Sequence, residues 1–231
     1  SVQPMIKGKL TLENIEDINY YWVKTPVYSG NSATRILNIF SFVFYIWRRA
    51  KYFANIIKPD VVIASSTYPF DNLAVNKIAK AANAKYVYEI HDLWPLTPKE
   101  LGGYSKYNIF IMIMQAAENQ AYKNCNHVIS ILPKTLEHTV RHGLNPQKWN
   151  YVPNGINIEE WNNFAAIPEK HREILSELRN NGFKIIGYIG THGLANALDC
   201  LIEASKLITA DNVVFVFVGK GNQKENLIDK T

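Results

Sequence analysis

Three short stretches of this chain hold residue types that can move a proton or hold an anion. The first is YEIHDLWP, residues 88–95. His91 can take up or release a proton near neutral pH, and Asp92 beside it can orient the ring or bind a hydroxyl. Side-chain alternation along a strand puts Glu89 on the same face as His91, though nothing in the sequence gives Glu89 a role of its own. The plainer reading is that Asp92 caps the next element, His91 fills a turn and Trp94-Pro95 stops the strand. The second stretch is GTHGLANALD, residues 190–199. Gly190, Thr191, His192 and Gly193 make a short loop, and a helix is expected to begin near Leu194–Asn196. Glycines let the backbone approach a ligand, and free amides at a helix start attract anions, so a phosphate or diphosphate fits. An ordinary strand-to-helix turn uses the same residue types. The third is VGKG, residues 218–221. Lys220, between Gly219 and Gly221, can meet a phosphate or a nucleotide ring edge, or can simply be a solvated turn lysine.

Each stretch follows a strand-like run. These runs are DVVIAS (60–65), AKYVYEI (84–90), NHVISIL (126–132), KIIGYIG (184–190) and NVVFVFVG (212–219). They are nearly continuous in apolar residues, which predicts strands of a parallel sheet covered on both faces. Helix-like segments lie between them. Residues 71–82 bring Ala74, Ile78, Ala81 and Ala82 together, and 107–122 is apolar early and amphipathic later. Residues 194–208 carry Leu194, Leu198, Leu201, Ile202, Ser205 and Ile208 on one face. Alternating strand and helix predicts a doubly wound α/β architecture, in which ligands collect at the carboxyl ends of the strands. All three stretches sit at such ends.

A boundary falls near residue 155. A short strand at 151–156 runs into Pro153-Asn154-Gly155, a turn signal, and polar sequence follows to residue 182. The expected organisation is a first Rossmann-like domain over 1–154, a linker region over 155–182 and the start of a second domain over 183–231. Both domains are expected to be incomplete. Residues 1–18 read as polar and irregular, NYYWVKTPV (19–27) as the first strand, and no glycine-rich turn opens the first unit. The second shows only strand, helix and strand, where a doubly wound domain usually needs about five strands.

Composition narrows the function. Lysine and arginine total 25 against 20 acidic residues, a net charge of +5. That is too weak to indicate nucleic acid, and it suits an anionic small molecule or an anionic membrane surface. The two cysteines, Cys125 and Cys200, form neither a metal motif nor a disulfide framework, so a reducing cytoplasm is expected. Residues 1–20 lack the apolar segment of a signal peptide. The most apolar run, ILNIFSFVFYIW (36–47), falls short of the roughly 20 residues that span a bilayer. It predicts a buried helix or, because Arg48, Arg49 and Lys51 follow it, a helix lying on a membrane surface. Walker A, HExxH, GxSxG, GxGxxG and Asp-x-Asp motifs are all absent from the sequence.

Taken in order, YEIHDLWP, VISILP, YVPNGIN, IIGYIGTHGLANALDCLIEA and FVFVGKGNQKENL resemble bacterial glycosyltransferases of family 4. The closest likeness is to the O-antigen and capsule branch similar to N-acetylfucosaminyltransferases, and it runs from about residue 55 to the end of the chain. The resemblance implies a GT-B fold of two Rossmann-like domains. It also implies sugar transfer from a nucleotide-sugar donor, such as a UDP-sugar, with retained anomeric configuration and neither cofactor nor required metal. The acceptor would be a saccharide or a polyprenyl-diphosphate-linked intermediate. On that resemblance Gly190, Thr191, His192, Gly193 and Asn196 lie by the donor diphosphate, and Gly219, Lys220 and Gly221 by the nucleoside. His91 and Asp92 face the transferred sugar, and Asn154 and Gly155 belong to the interdomain crossover. The implied location is cytoplasmic, peripheral on the inner face of the membrane.

The sequence departs from that pattern in places. Many relatives carry arginine and lysine where Thr191, His192 and Asn196 stand here, so charge neutralisation is left to Lys220 or to residues outside the chain. Glu169 and Glu177 have the family's E-x7-E spacing but precede the second domain's first strand, and they read as a coincidence on a surface helix. Weak or no transferase activity is therefore expected of the 231-residue chain itself. Two other functions compete: a GT-B-fold nucleotide-sugar epimerase, and a non-catalytic nucleotide-binding or membrane-docking module.

Overall fold

The computed structural model describes residue 6, residues 8–28 and residues 33–231. Two compact units divide the chain, Ser1–Asn154 and Gly155–Thr231.

The first unit begins with a hairpin. Strands β1 (Leu10–Ile15) and β2 (Ile18–Val23) pair antiparallel in register, Leu10 opposite Val23 and Ile15 opposite Ile18. Glu16 and Asp17 form the two-residue turn, both at positive φ, as the right-handed twist of a tight hairpin demands. This corrects the expectation that 1–18 is irregular. The alternation in LTLENI is genuine, but Glu-Asp is not a customary turn pair. Residues 1–5 and 7 lie outside the described residues.

Next come helices α1 (Ala33–Arg48) and α2 (Ala50–Ile57), then β3 (Val61–Ser66), α3 (Asp71–Ala82), β4 (Lys85–Ile90) and the short α4 (Leu96–Glu100). Helix α5 (Ile109–Asn124), β5 (His127–Ser130), α6 (Leu136–Arg141) and β6 (Trp149–Tyr151) complete the unit. The sheet order is β3-β4-β5-β6, all parallel. The strands therefore advance in one direction, as in one winding of a doubly wound sheet. Local signals fix the helix ends. The Asn108 side chain accepts hydrogen bonds from the Phe110 and Ile111 amides and starts α5, while Asn83, in the left-handed conformation, ends α3.

Tyr86, Tyr88 and Ile90 of β4 pack with Val128, Ala121, Tyr122 and Cys125 in one buried cluster. A second joins Ile39 and Val43 of α1 to Phe70, Met114 and Ala117, and a third joins Phe53 of α2 to Ile78. The expectation of strands covered on both faces fails at β3. Val61 and Ile63 are about half exposed, while Ala64 on the opposite face is buried. Helices α2 and α3 cover only the Val62–Ala64 face among the described residues.

The second unit holds α7 (Ile158–Asn162), α8 (Glu169–Asn180), β7 (Lys184–Ile189), α9 (Asp199–Lys206), β8 (Val213–Val218) and α10 (Lys224–Ile228). The 155–182 segment thus carries two helices and clusters with this unit. Strands β7 and β8 pair parallel. Leu198, Ile202 and Leu227 form a small core against Tyr188 and Phe217. The helix expected from 194 starts later. Leu194–Asn196 is a single 3-10 turn, Ala197 adopts a left-handed conformation, and α9 begins at Asp199. Leu194, Leu201 and Ile208 are consequently exposed, and Leu198 and Ile202 carry the packing.

Candidate active site

In the first unit, the carboxyl ends of β3 and β4 lie side by side, with Ser65 opposite Glu89 and Ser66 opposite Ile90. His91 follows β4 directly. Its Nε2 lies 2.9 Å from Ser65 Oγ and 3.2 Å from Glu89 Oε2, and both the imidazole and the carboxylate remain partly exposed. These two contacts fix the ring at the strand edge, where an imidazole can exchange a proton.

Asp92 is placed differently. Its Oδ1 accepts from the Leu93 amide at 2.8 Å and from the Thr97 hydroxyl at 2.7 Å, and its Oδ2 accepts from the Trp94 indole at 3.2 Å. The carboxylate thus ties the DLWP segment to α4, and Glu89 is the carboxylate that meets His91.

Asp71, the first residue of α3, belongs to the same edge. Burial pushes its carboxyl up to about 6, against the opposing pull of the Ser66 hydroxyl, the Asn72 amide and the nearby His91. A carboxylic acid that titrates near neutrality beside a histidine can serve as proton donor or acceptor. Sequence reasoning missed Asp71 and Ser65, and it assigned Glu89 nothing. The available signal was topological: once β3 and β4 are neighbours, residues just past their carboxyl ends share one edge.

The second unit brings the other two stretches together. The Gly190 amide donates to the Val218 carbonyl at 3.0 Å, His192 to Lys220 at 2.9 Å, and Gln223 to His192 at 3.0 Å. The GTHG and VGKG loops therefore continue the β7–β8 pairing as one structure. The glycines follow from that closeness. A Cβ on Gly219 would overlap the Gly190 carbonyl oxygen, and one on Gly221 would overlap the His192 carbonyl oxygen. A Cβ on Gly193 would meet only ordinary contacts, the nearest at 3.6 Å. Thr191, Asn196 and Lys220 are exposed. The Asn196 amide donates to the Thr191 carbonyl, as does the Tyr188 hydroxyl at 3.0 Å, so this loop is braced from both sides.

The anion rationale based on a helix start needs correction. Only a single 3-10 turn begins at Leu194, and α9 opens with Asp199, an acid already paired with Lys230. Any anion held here meets loop amides and Lys220 instead. His192 is buried, and neither of its ring nitrogens has a hydrogen-bond partner among the described residues. It lines a cavity of about 330 Å³ together with Leu198, Ile202, Phe217, Lys224 and Leu227. An unsatisfied buried ring is costly, and it marks a place where a ligand's polar group would be welcome. Asn154 and Gly155 stand at the junction of the two units. Arg48, Arg49 and Lys51 are exposed at the end of α1 and the start of α2.

A family model, Glycosyltransferase Family 4, matches residues 8–160. No curated protein matches the sequence. Among solved structures, the Anabaena protein Alr3699/HepE resembles the chain in three crystal structures with different ligands. With UDP-glucose it gives a TM-score of 0.56 at 17% identity, covering 88% of this chain and 50% of the Anabaena chain. With UDP it gives 0.57 at 15% identity, covering 85% and 49%. With UDP and glucose it gives 0.55 at 16% identity, covering 78% and 46%. The chain thus spans about half the length of these structures, and the likeness assigns the fold as α/β of the GT-B type, with each unit built on a parallel sheet.

Proposed function

Because the chain belongs to glycosyltransferase family 4, we propose that it acts in retaining transfer of a hexose-type sugar from a UDP-sugar to a saccharide or polyprenyl-diphosphate-linked acceptor in capsule or O-antigen synthesis. The observation that carries this reading is the grouping of Ser65, Asp71, Glu89 and His91 at one strand edge. In the Anabaena protein the corresponding fold binds UDP and UDP-glucose, which supports a nucleotide-sugar donor.

The geometry of each unit supports the following roles. His91, held by Glu89 and Ser65, presents a hydrogen-bonding ring to the transferred sugar. Asp92 is a positioning residue that fixes the loop behind it. In the second unit the Gly190–Gly193 and Gly219–Gly221 loops offer backbone amides, and exposed Lys220 adds a cation. Charge grows on the diphosphate as the glycosidic bond breaks, and donors fixed beforehand stabilise it without reorganising. On this reading no metal is required for the transfer step.

The test is sugar transfer from a panel of UDP-sugars by the longest natural gene product that contains this sequence. His91→Ala is expected to lower turnover by roughly 10²- to 10³-fold, the usual cost of removing one preorganised hydrogen-bond donor. Near-normal turnover would return YEIHDLWP to the status of a turn. Asp71 gives the epimerase alternative the additional acid–base group it needs, so the same assay follows the donor without acceptor. Isomerised donor would favour that alternative.

We further propose a peripheral position on the cytoplasmic face of the membrane. No helix among the described residues is long and apolar enough to cross a bilayer. Helix α1 buries Ile39 and Val43 but exposes Leu37, Phe40, Phe44 and Trp47, and Lys77 Nζ sits 3.4 Å from the Trp47 ring centroid. An exposed aromatic stripe next to Arg48, Arg49 and Lys51 suits an anionic lipid surface. Changing these three residues to Glu is expected to abolish co-sedimentation with anionic liposomes, and unchanged co-sedimentation would overturn the idea.

A further inference from the structure

Helices α5 and α6 hold a second cluster of ionisable groups that the transfer reading does not use. His138 and His142 are four residues apart and so share one side of α6 and its C-terminal cap, with ring centroids 4.5 Å apart. They meet Glu118 of α5, one of the most deeply buried side chains described. One ligand atom from each residue can be chosen so that all three lie within 4.8 Å of one another.

A dense set of hydrogen bonds surrounds this cluster. The Gln115 amide nitrogen lies 2.6 Å from Glu118 Oε2, 2.9 Å from Asn119 Oδ1 and 2.9 Å from His142 Nδ1. Its two hydrogens can go to Glu118 Oε2 and Asn119 Oδ1, or one of them to His142 Nδ1 in the tautomer that leaves that nitrogen bare. His142 Nδ1 also lies 3.1 Å from Asn119 Oδ1, so a single nitrogen faces both a donor and an acceptor. Glu118 Oε1 accepts from the Tyr122 hydroxyl at 2.9 Å and stands 2.9 Å from His138 Nε2. A buried carboxylate and two imidazoles are thus already gathered at one point, which is the arrangement a cation can bind.

We propose that Glu118, His138 and His142 form a binding site for a divalent transition metal of the zinc class. Two imidazoles and one carboxylate are a donor set zinc takes with a fourth position left to water. Bonds of about 2.0–2.1 Å from a tetrahedral centre place ligand atoms about 3.4 Å apart, so binding needs only small shifts from a cluster whose ligand atoms lie within 4.8 Å of one another and whose His138–Glu118 pair is at 2.9 Å. His142, only partly buried, has room to make that movement. Burial lowers the His142 pKa, which keeps its ring neutral and its lone pair available. Lys99 and Arg141 add positive charge nearby, and the buried Glu118 carboxylate offsets it. Tyr122 and Gln115 hold that carboxylate in place as an outer layer of hydrogen bonds. The metal would fasten α6 to α5 and takes no part in sugar transfer.

The experiment is titration of zinc alone into the purified chain carrying Cys200→Ser, which removes the exposed thiol. Calorimetry is expected to show one zinc per chain, with a rise in melting temperature. His138→Ala combined with His142→Ala is expected to weaken binding by more than roughly 100-fold, beyond the 10- to 100-fold cost of losing an outer-layer partner. Cobalt(II) in place of zinc is expected to give the visible absorption of a tetrahedral site, and Glu118→Gln to alter that spectrum. Should the double variant fail to fold, His142→Ala alone serves, because its ring is only partly buried. Zinc uptake equal in the parent and in these variants, or no uptake by the parent, overturns the proposal.

Discussion

The strand edge of the first unit and the paired loops of the second are built from opposite materials. At the β3–β4 edge the working parts are side chains: Ser65, Asp71, Glu89 and His91 meet within hydrogen-bonding or electrostatic reach. At the β7–β8 edge they are mainly backbone, with Gly190, His192, Gly219 and Gly221 packed carbonyl against Cα. The difference teaches where each region tolerates change. A side-chain site stores its cost in protonation and desolvation, which pH can tune. A backbone site stores it in shape, which a single methyl group can break.

The largest expected effect is therefore steric. Gly219→Ala would drive a Cβ into the Gly190 carbonyl and is expected to cost roughly 3 kcal/mol, the upper end for overpacking. Hydrogen exchange of the β7 and β8 amides reads that loss locally, while β3–β5 amides stay protected. Gly193→Ala in the same loop is expected to stay within about 0.5 kcal/mol of the parent. Equal effects at Gly193 and Gly219 would break the distinction between a backbone-packed edge and an ordinary glycine loop.

How much of this was legible in the sequence differs between the two edges for a physical reason. Helix α3 runs over 71–82 as its apolar spacing predicts, and the cores of β3, β4, β5, β7 and β8 fall inside their apolar runs. Hydrophobic periodicity reports burial along one element, and it reports that well. It is silent about which elements become neighbours. The pairing of Ser65 with Glu89, the arrival of Asp71 beside His91 and the zipping of GTHG to VGKG all depend on strand order and register. Asp92 shows the converse. Its adjacency to His91 in sequence pointed to a pair, but a short loop let the Leu93 amide, the Trp94 indole and the Thr97 hydroxyl take both of its oxygens. The start of α9 was misplaced because Leu194 fits the helical stripe, while Ala197 in a left-handed conformation interrupts the helix before it.

The second effect sharpens the side-chain half of the comparison, and it depends on pH. Asp71 has its carboxyl raised from 3.8 to about 6 by burial. Between those values the folded chain binds a proton that the unfolded chain has released. Stability contributed by this group therefore falls as pH rises from about 4 to about 6 and stays low above that. A shift of about two units amounts to roughly 3 kcal/mol. Asp71→Asn keeps the shape and removes the charge, so it is expected to stabilise the first unit above pH 6. The gain is up to about 3 kcal/mol, because the shift to about 6 already contains the opposing hydrogen bond from Ser66. Below about pH 4 the two proteins are expected to unfold at the same urea concentration, because the aspartic acid is then neutral in both states. A gain that persists at low pH would mean that packing, not ionisation, separates the variants. A loss at neutral pH would mean that the buried charge is held by partners well enough to stabilise the fold, and the strand edge would then resemble a structural ion-pair network more than a site tuned for proton transfer.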